Sequence, residues 1–166
     1  MKEDFLALIK TKDEANKFFE FVDLVVERTY GIGKFDKNIL DKCVEEVVSI
    51  EGCNVNPPWF EKICKQLSRN MALESVRTLL EELSKLVSGA ELVKIEVSFN
   101  PSQNFIDGIY EAIRESSPFK FLMDIEVNPK LHGGAKFFIS GKYINLTLGA
   151  TIAKYLRTKD VINRYL

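Results

Sequence analysis

The sequence predicts an α+β protein, with a small N-terminal helical bundle followed by a small α/β C-terminal domain. Three observations carry this. Apolar residues recur at helical spacing up to about residue 88. Beyond Gly89 they alternate with polar ones, the period of a strand with one buried face. A helical stripe interrupts that alternation, giving the order strand, helix, strand, hairpin, helix. The 166 residues suffice for one medium domain or two small ones, and the change of period sets the expected domains at 1–90 and 91–166.

Local signals support each helix. Thr11-Lys12-Asp13-Glu14 reads as a capping box, in which Thr11 accepts from a backbone N–H and Glu14 reaches back. Ala15, Phe18, Phe19, Val22, Val25 and Val26 follow as one stripe, which Gly31 and Gly33 should end. Asp36 can cap a second helix with the stripe Leu40, Cys43, Val44, Val47 and Val48. Pro57 and Pro58 suit the start of a third, carrying Trp59, Phe60, Ile63, Cys64 and Leu67. A fourth bears Ala72, Leu73, Val76, Leu79, Leu80, Leu83 and Leu86, closed by Ser88-Gly89. A short segment around Phe5, Leu6 and Ile9 completes the bundle.

In the second half, Val93, Ile95, Val97 and Phe99 mark a strand. Asn100-Pro101-Ser102 then opens a helix with Phe105, Ile106, Ile109, Tyr110 and Ile113 on its apolar side. Phe119, Phe121, Met123, Ile125 and Val127 form a second strand, parallel to the first because a helix connects them. Ala135, Phe137 and Ile139, then Ile144, Leu146 and Leu148, predict two more strands joined by a hairpin turn at Ser140-Gly141-Lys142. A last helix should start near Ala150 and can extend to Leu166.

Composition excludes several classes of function. The 23 basic and 24 acidic residues are well mixed and leave a net charge of −1, which argues against nucleic acid as the main partner. No apolar run approaches the roughly 20 residues of a membrane span, and "MKEDFLALIK" lacks the apolar region of a signal peptide, so a cytosolic chain without membrane insertion is expected. Cys43, Cys53 and Cys64 have neither zinc-site spacing nor an even count. Asn145-Leu146-Thr147 fits the glycosylation sequon, but no secretory signal accompanies it. "YGIGKF" is not a phosphate loop, since Arg28 stands where its first glycine belongs and Phe35 replaces Ser/Thr. The single histidine, His132, has no cysteine or serine partner near it in sequence, and Asp124 with Glu126 reads as the solvent face of a strand. No enzyme activity, metal or cofactor is expected.

The stretch "VNPKLHGGAKFFISGKYINLTL" is the most specific in the chain. Pro129 must end the second strand, having no N–H to donate, and Gly133-Gly134 permits positive φ or a close backbone approach. With the strand and helix of "VKIEVSFNPSQNFIDGIYEAI" before it, this stretch resembles the C-terminal domain of the F-type ATP synthase delta subunit, the oligomycin-sensitivity-conferring protein of mitochondria. Pro129, Leu131, Gly133, Gly134 and Gly141 match that family's closing pattern, with Asn145 where Asp is usual and Thr147 where Ser is usual. Asn128 replaces a usual acidic residue, and His132 a common aliphatic one.

The resemblance implies a non-catalytic subunit of the peripheral stalk, a monomer within a hetero-oligomeric complex. Its helical domain would bind the amphipathic N-terminal helices of the catalytic head's alpha subunits. Its C-terminal domain would bind the C-terminus of the stalk's b subunits. Together they would resist rotor torque on the cytoplasmic side of the inner membrane. Such binding suits a helix-in-groove mode. Phe18, Phe21, Leu24 and Val25 widen the first stripe beyond one face and are the candidate alpha-subunit groove. The V-type E subunit and the flagellar export stator have a similar Pro-x-x-x-Gly-Gly ending, yet normally begin with a long polar helix rather than short, apolar-striped ones. A generic helical adaptor is the remaining alternative.

Overall fold

The computed structural model describes residues 5–30, 36–51, 58–68, 72–116, 119–131, 133–139, 141–152 and 154; within the helices, the side chains of 44, 47–51 and 116 are not described. It is an α+β structure that divides into two compact units, Met1–Ala90 and Glu91–Leu166. Helices α1 (Lys12–Thr29), α2 (Lys37–Glu51), α3 (Pro58–Leu67) and α4 (Leu73–Ser88) build the first unit. Strands β1 (Glu91–Val97), β2 (Phe121–Val127), β3 (Ala135–Ile139) and β4 (Lys142–Asn145), with helix α5 (Gln103–Ser116), build the second.

The capping box of α1 forms in full. The Thr11 hydroxyl accepts from the Glu14 N–H at 3.2 Å, and the Glu14 carboxylate accepts from the Thr11 N–H at 3.1 Å. Asp36 caps α2 through its carboxylate, which accepts from the Ile39 N–H at 2.9 Å. Pro58 occupies the first position of α3, where a missing N–H costs nothing. Helix α1 ends at Thr29 with Tyr30 as its extended C-cap, so it stops before the glycines assigned that task; Gly31 and Gly33 lie outside the described residues, as do Pro57 and Cys53. Gly89 closes α4 with φ −82°, so its N–H, bonded to the Lys85 carbonyl at 3.0 Å, matters there rather than its conformational freedom. The stripe of α4 also needs a correction. Val87 is buried and Leu86 only half-buried, because the buried series Val76, Leu80, Leu83, Val87 steps by four, three and four residues.

An aromatic cluster forms the core of this unit. Trp59 meets Phe18, Phe21 and Phe60 edge to face, with ring centroids 5.5–6.2 Å apart, and Phe5 packs edge-on against Phe18 at 5.5 Å. Ile9, Val25, Ile63 and Leu67 are fully buried with them. Among the described residues no helix is long and apolar enough to cross a membrane.

The sheet of the second unit has the order β2-β1-β3-β4. Strands β1 and β2 pair in parallel over their full length, from Glu91 opposite Phe121 to Val97 opposite Val127. A parallel pair requires a crossover, and α5 supplies it. Its Ile106, Ile109, Tyr110 and Ile113 pack on the face that carries Val93, Ile95, Val97, Phe121 and Met123. The opposite face carries Lys94, Asp124 and Glu126, together with a Lys136–Glu96 pair at 3.1 Å. Three strand assignments contract. Phe119 lies before β2, its ring edge-on to Phe121 at 6.1 Å. Phe99 lies beyond β1 and rests edge-on against Phe105 at 5.1 Å. Strand β4 ends at Asn145, leaving Leu146 and Leu148 outside it and exposed. Leu122 breaks the alternation, being buried on the polar face, where Leu92 stands opposite it.

Candidate functional site

The residues that carry the family resemblance come from two stretches, and the fold brings those stretches together. The first turn is built by Asn128. Its N–H donates to the Val97 carbonyl at 2.7 Å, and its side-chain oxygen accepts from the Lys130 N–H at 3.1 Å, an Asx turn around Pro129. Its carbonyl accepts from the Leu131 N–H at 3.0 Å, while Pro129 itself is exposed. Gly133 and Gly134 follow with φ +79° and +85°, a region that L side chains rarely adopt.

The two glycines have different reasons to be glycine. At Gly133 an added Cβ would meet nothing nearer than the Leu148 Cβ at 3.8 Å, so only the backbone conformation resists a side chain. At Gly134 an added Cβ would lie 2.3 Å from the Leu146 carbonyl oxygen and 2.7 Å from the Thr147 Cα. The 146–148 segment runs directly against this backbone. Hydrogen bonds from the Leu146 N–H to the Ala135 carbonyl (2.9 Å) and from the Leu148 N–H to the Gly133 carbonyl (3.2 Å) hold it there.

Asn145 and Thr147 fix that second segment. The Asn145 side-chain oxygen accepts from the Thr147 N–H at 3.0 Å and from its hydroxyl at 2.7 Å. The buried Thr147 hydroxyl in turn accepts from the Ala150 N–H at 3.3 Å, capping a helical turn over 148–152. Either Asp or Asn at 145 supplies the acceptor, and either Ser or Thr at 147 the hydroxyl. Gly141, at φ +74°, makes the tight β3–β4 turn between the paired Ile139 and Lys142. The other residue of that turn, Ser140, lies outside the described residues, as do His132 and the continuation of the last helix over 155–166.

The helical unit offers a different kind of feature. Phe18, Phe21 and Val25 have no exposed surface; they belong to the aromatic core, and Leu24 alone of the four groove candidates is partly accessible. A side chain used fully by its own core cannot also receive a partner. The widened stripe of α1 instead points its accessible edge elsewhere. Val22, half-buried, and Val26, 42 % exposed, form with Leu80 the apolar floor of an open cavity of about 640 Å³ between α1 and α4. Arg77, Glu81 and Lys85 line it from α4, which also contributes Ser84 and, at the far end, Ser88 and Gly89. The guanidinium of Arg77 donates to the Thr29 carbonyl at 3.3 Å, satisfying the last turn of α1 and tying the two helices together. The Ser84 hydroxyl is shielded from solvent and has no hydrogen-bond partner among the described residues. Sequence reasoning missed the α4 side of this groove because its polar members carry no apolar periodicity.

The titratable chemistry of the described residues is sparse. Among them, no group of three or more His, Cys, Asp or Glu residues is arranged to hold a metal ion. Burial pushes the Cys64 thiol up to about 11, with the nearby Asp41 and Cys43 adding to the shift, and burial also raises Cys43. Both thiols are therefore held protonated, the opposite of an activated nucleophile. Asp124 is half-buried and Glu126 exposed on the polar sheet face, away from α5.

The molecule is thus a two-unit α+β protein with an apolar groove in its helical unit and a glycine turn locked against the C-terminal segment of its sheet. No protein-family model matches the chain, and no curated protein matches it in sequence.

Proposed function

We propose that this protein is a non-catalytic peripheral-stalk subunit of a rotary F-type ATP synthase, a member of the delta-subunit family. The reading rests above all on the convergence of 129–134 with 145–147. Gly133 and Gly134 lie against the segment that carries Thr147, and the two glycines, Asn145 and Thr147 each have a backbone reason to be what they are. The groove between α1 and α4 supports the same reading, since an open apolar trough between two helices suits the apolar face of a third. In this role the helical unit holds the N-terminal helices of the alpha subunits and the sheet unit holds the C-terminus of the b subunits. The protein binds no cofactor of its own, and it reaches the membrane only through the complex.

Full-length protein purified from its own cells should bring down both the alpha and the b subunit. Calorimetry with an alpha-subunit N-terminal peptide should show a negative heat-capacity change from buried apolar area. Val26→Asp should abolish that binding while leaving the b-subunit interaction intact. Recovery of neither subunit overturns the assignment.

A further inference from the structure

We propose that the α1–α4 groove selects its partner helix by a charge ladder. The occupant is one amphipathic helix that carries an acidic, a basic and an acidic residue at positions i, i+4 and i+8 beside its apolar seam. This deepens the groove reading above and rests on it. The ladder on this chain is Arg77, Glu81 and Lys85, all lining the groove from α4. Spaced by four residues, they stand on one side of α4 about 6 Å apart along its axis and span about 12 Å in all. Their signs alternate, and among the described residues neither Glu81 nor Lys85 has an ion-pair partner.

The shape of the groove selects a helix rather than a compact ligand. Its α4 wall runs from Arg77 to Gly89, which is about 18 Å or a little over three helical turns. Val22, Val26 and Leu80 supply an apolar floor, and the charged lining residues all stand on the α4 rim. A partner lying near the shallow crossing angle of about 20° keeps its own i, i+4, i+8 row beside the rim, whereas a steep crossing would meet one charge only. An acid–base–acid row reads the same in both directions along the chain, so the ladder fixes register without fixing polarity. The apolar floor contributes affinity and the rim contributes selection.

Two designed helical peptides of 18 residues test this on the full-length protein. They share one apolar seam and differ in the flanking row, acid–base–acid in one and base–acid–base in the other. The first should bind about tenfold more tightly at low salt, a gap that narrows as ionic strength rises. Glu81→Lys should weaken the first peptide about threefold, and a third peptide with three acids should recover that loss. Lys85→Glu supplies an independent reversal at the other end of the row. Both positions are exposed, and an unchanged thermal transition confirms that the variants fold. Equal affinity of the two peptides for the wild type overturns the ladder and leaves the groove reading standing. Binding of neither peptide overturns both.

Discussion

The two units of this protein are specified in different ways. The helical unit is held by side chains. Its helices satisfy most of their own backbone groups, and what joins α1 to α3 is the packing of Trp59 and Phe60 with Phe18 and Phe21, a contact set that depends on volume. The end of the sheet unit is held by its backbone. Gly133, Gly134, Asn145 and Thr147 contribute little apolar area; they permit a close approach and saturate its hydrogen bonds. The lesson is that the two modes of construction have opposite tolerances. The first unit should accept conservative changes of shape and fail when volume is lost. The closing turn of the second should lose little when surface is removed and fail when a single Cβ is added.

Trp59→Ala is the sharpest test of the first half of that contrast. Emptying a fully buried site among three aromatic rings should cost about 3–5 kcal/mol, read as a drop in the denaturant midpoint by far-UV circular dichroism. A loss below 1 kcal/mol would mean that the cluster is not what joins the helices.

Gly134→Ala tests the second half, with an expected cost of about 3 kcal/mol, because backbone strain adds to a collision with the Leu146 carbonyl that no rotamer relieves. Gly133→Ala, with the same sign of φ but open space, should cost only about 1 kcal/mol. Equal costs at the two positions would break the argument from close approach. Trp59 is the single tryptophan and lies in the helical unit, so its fluorescence transition should be insensitive to both changes if the units unfold separately.

Thr147→Val should cost about 1–2 kcal/mol, since it removes both the cap on the Ala150 N–H and the hydroxyl held by Asn145 while keeping the volume. Thr147→Ser should restore most of it. A valine variant as stable as the wild type would remove the physical reason for a hydroxyl at this position.

Alkaline pH should also act on the helical unit. Burial raises both Cys64, to about 11, and Cys43, so the folded state keeps protons that the unfolded chain releases near pH 9. Stability should be unaffected by these thiols below pH 9 and fall as pH rises from 9 towards 11. Alkylation of the folded protein at pH 8 should be correspondingly slow at both positions; rapid modification there would show that the thiols are not desolvated.

Much of the architecture was legible because it is written in short-range physics. A capping box such as Thr11–Glu14, or an Asp36 cap, needs only four consecutive residues, and the change from helical to alternating period needs only a window of about ten. The parallel pairing of β1 and β2 was legible too, because a helix between two strands permits little else. Strand ends were less so. Leu146 and Leu148 continue the alternation and still bond to the Ala135 and Gly133 carbonyls, but the regular strand ends at Asn145, whose side chain takes the Thr147 N–H. No periodicity records that competition.

The sequence by itself determined the elements, their order, and the glycine, Asn and Thr positions of the closing turn, since those depend on what a backbone can do locally. Tertiary structure alone decided which apolar side chains remain available. Phe18, Phe21 and Val25 share a helix with Val22 and Val26, at spacings that one stripe cannot separate. Trp59 and Phe60 pack on Phe18 and Phe21, and Val25 is buried as well, while the gap between α1 and α4 leaves the second group open. Burial is a property of where neighbouring helices stop, and a sequence read one helix at a time holds no record of it.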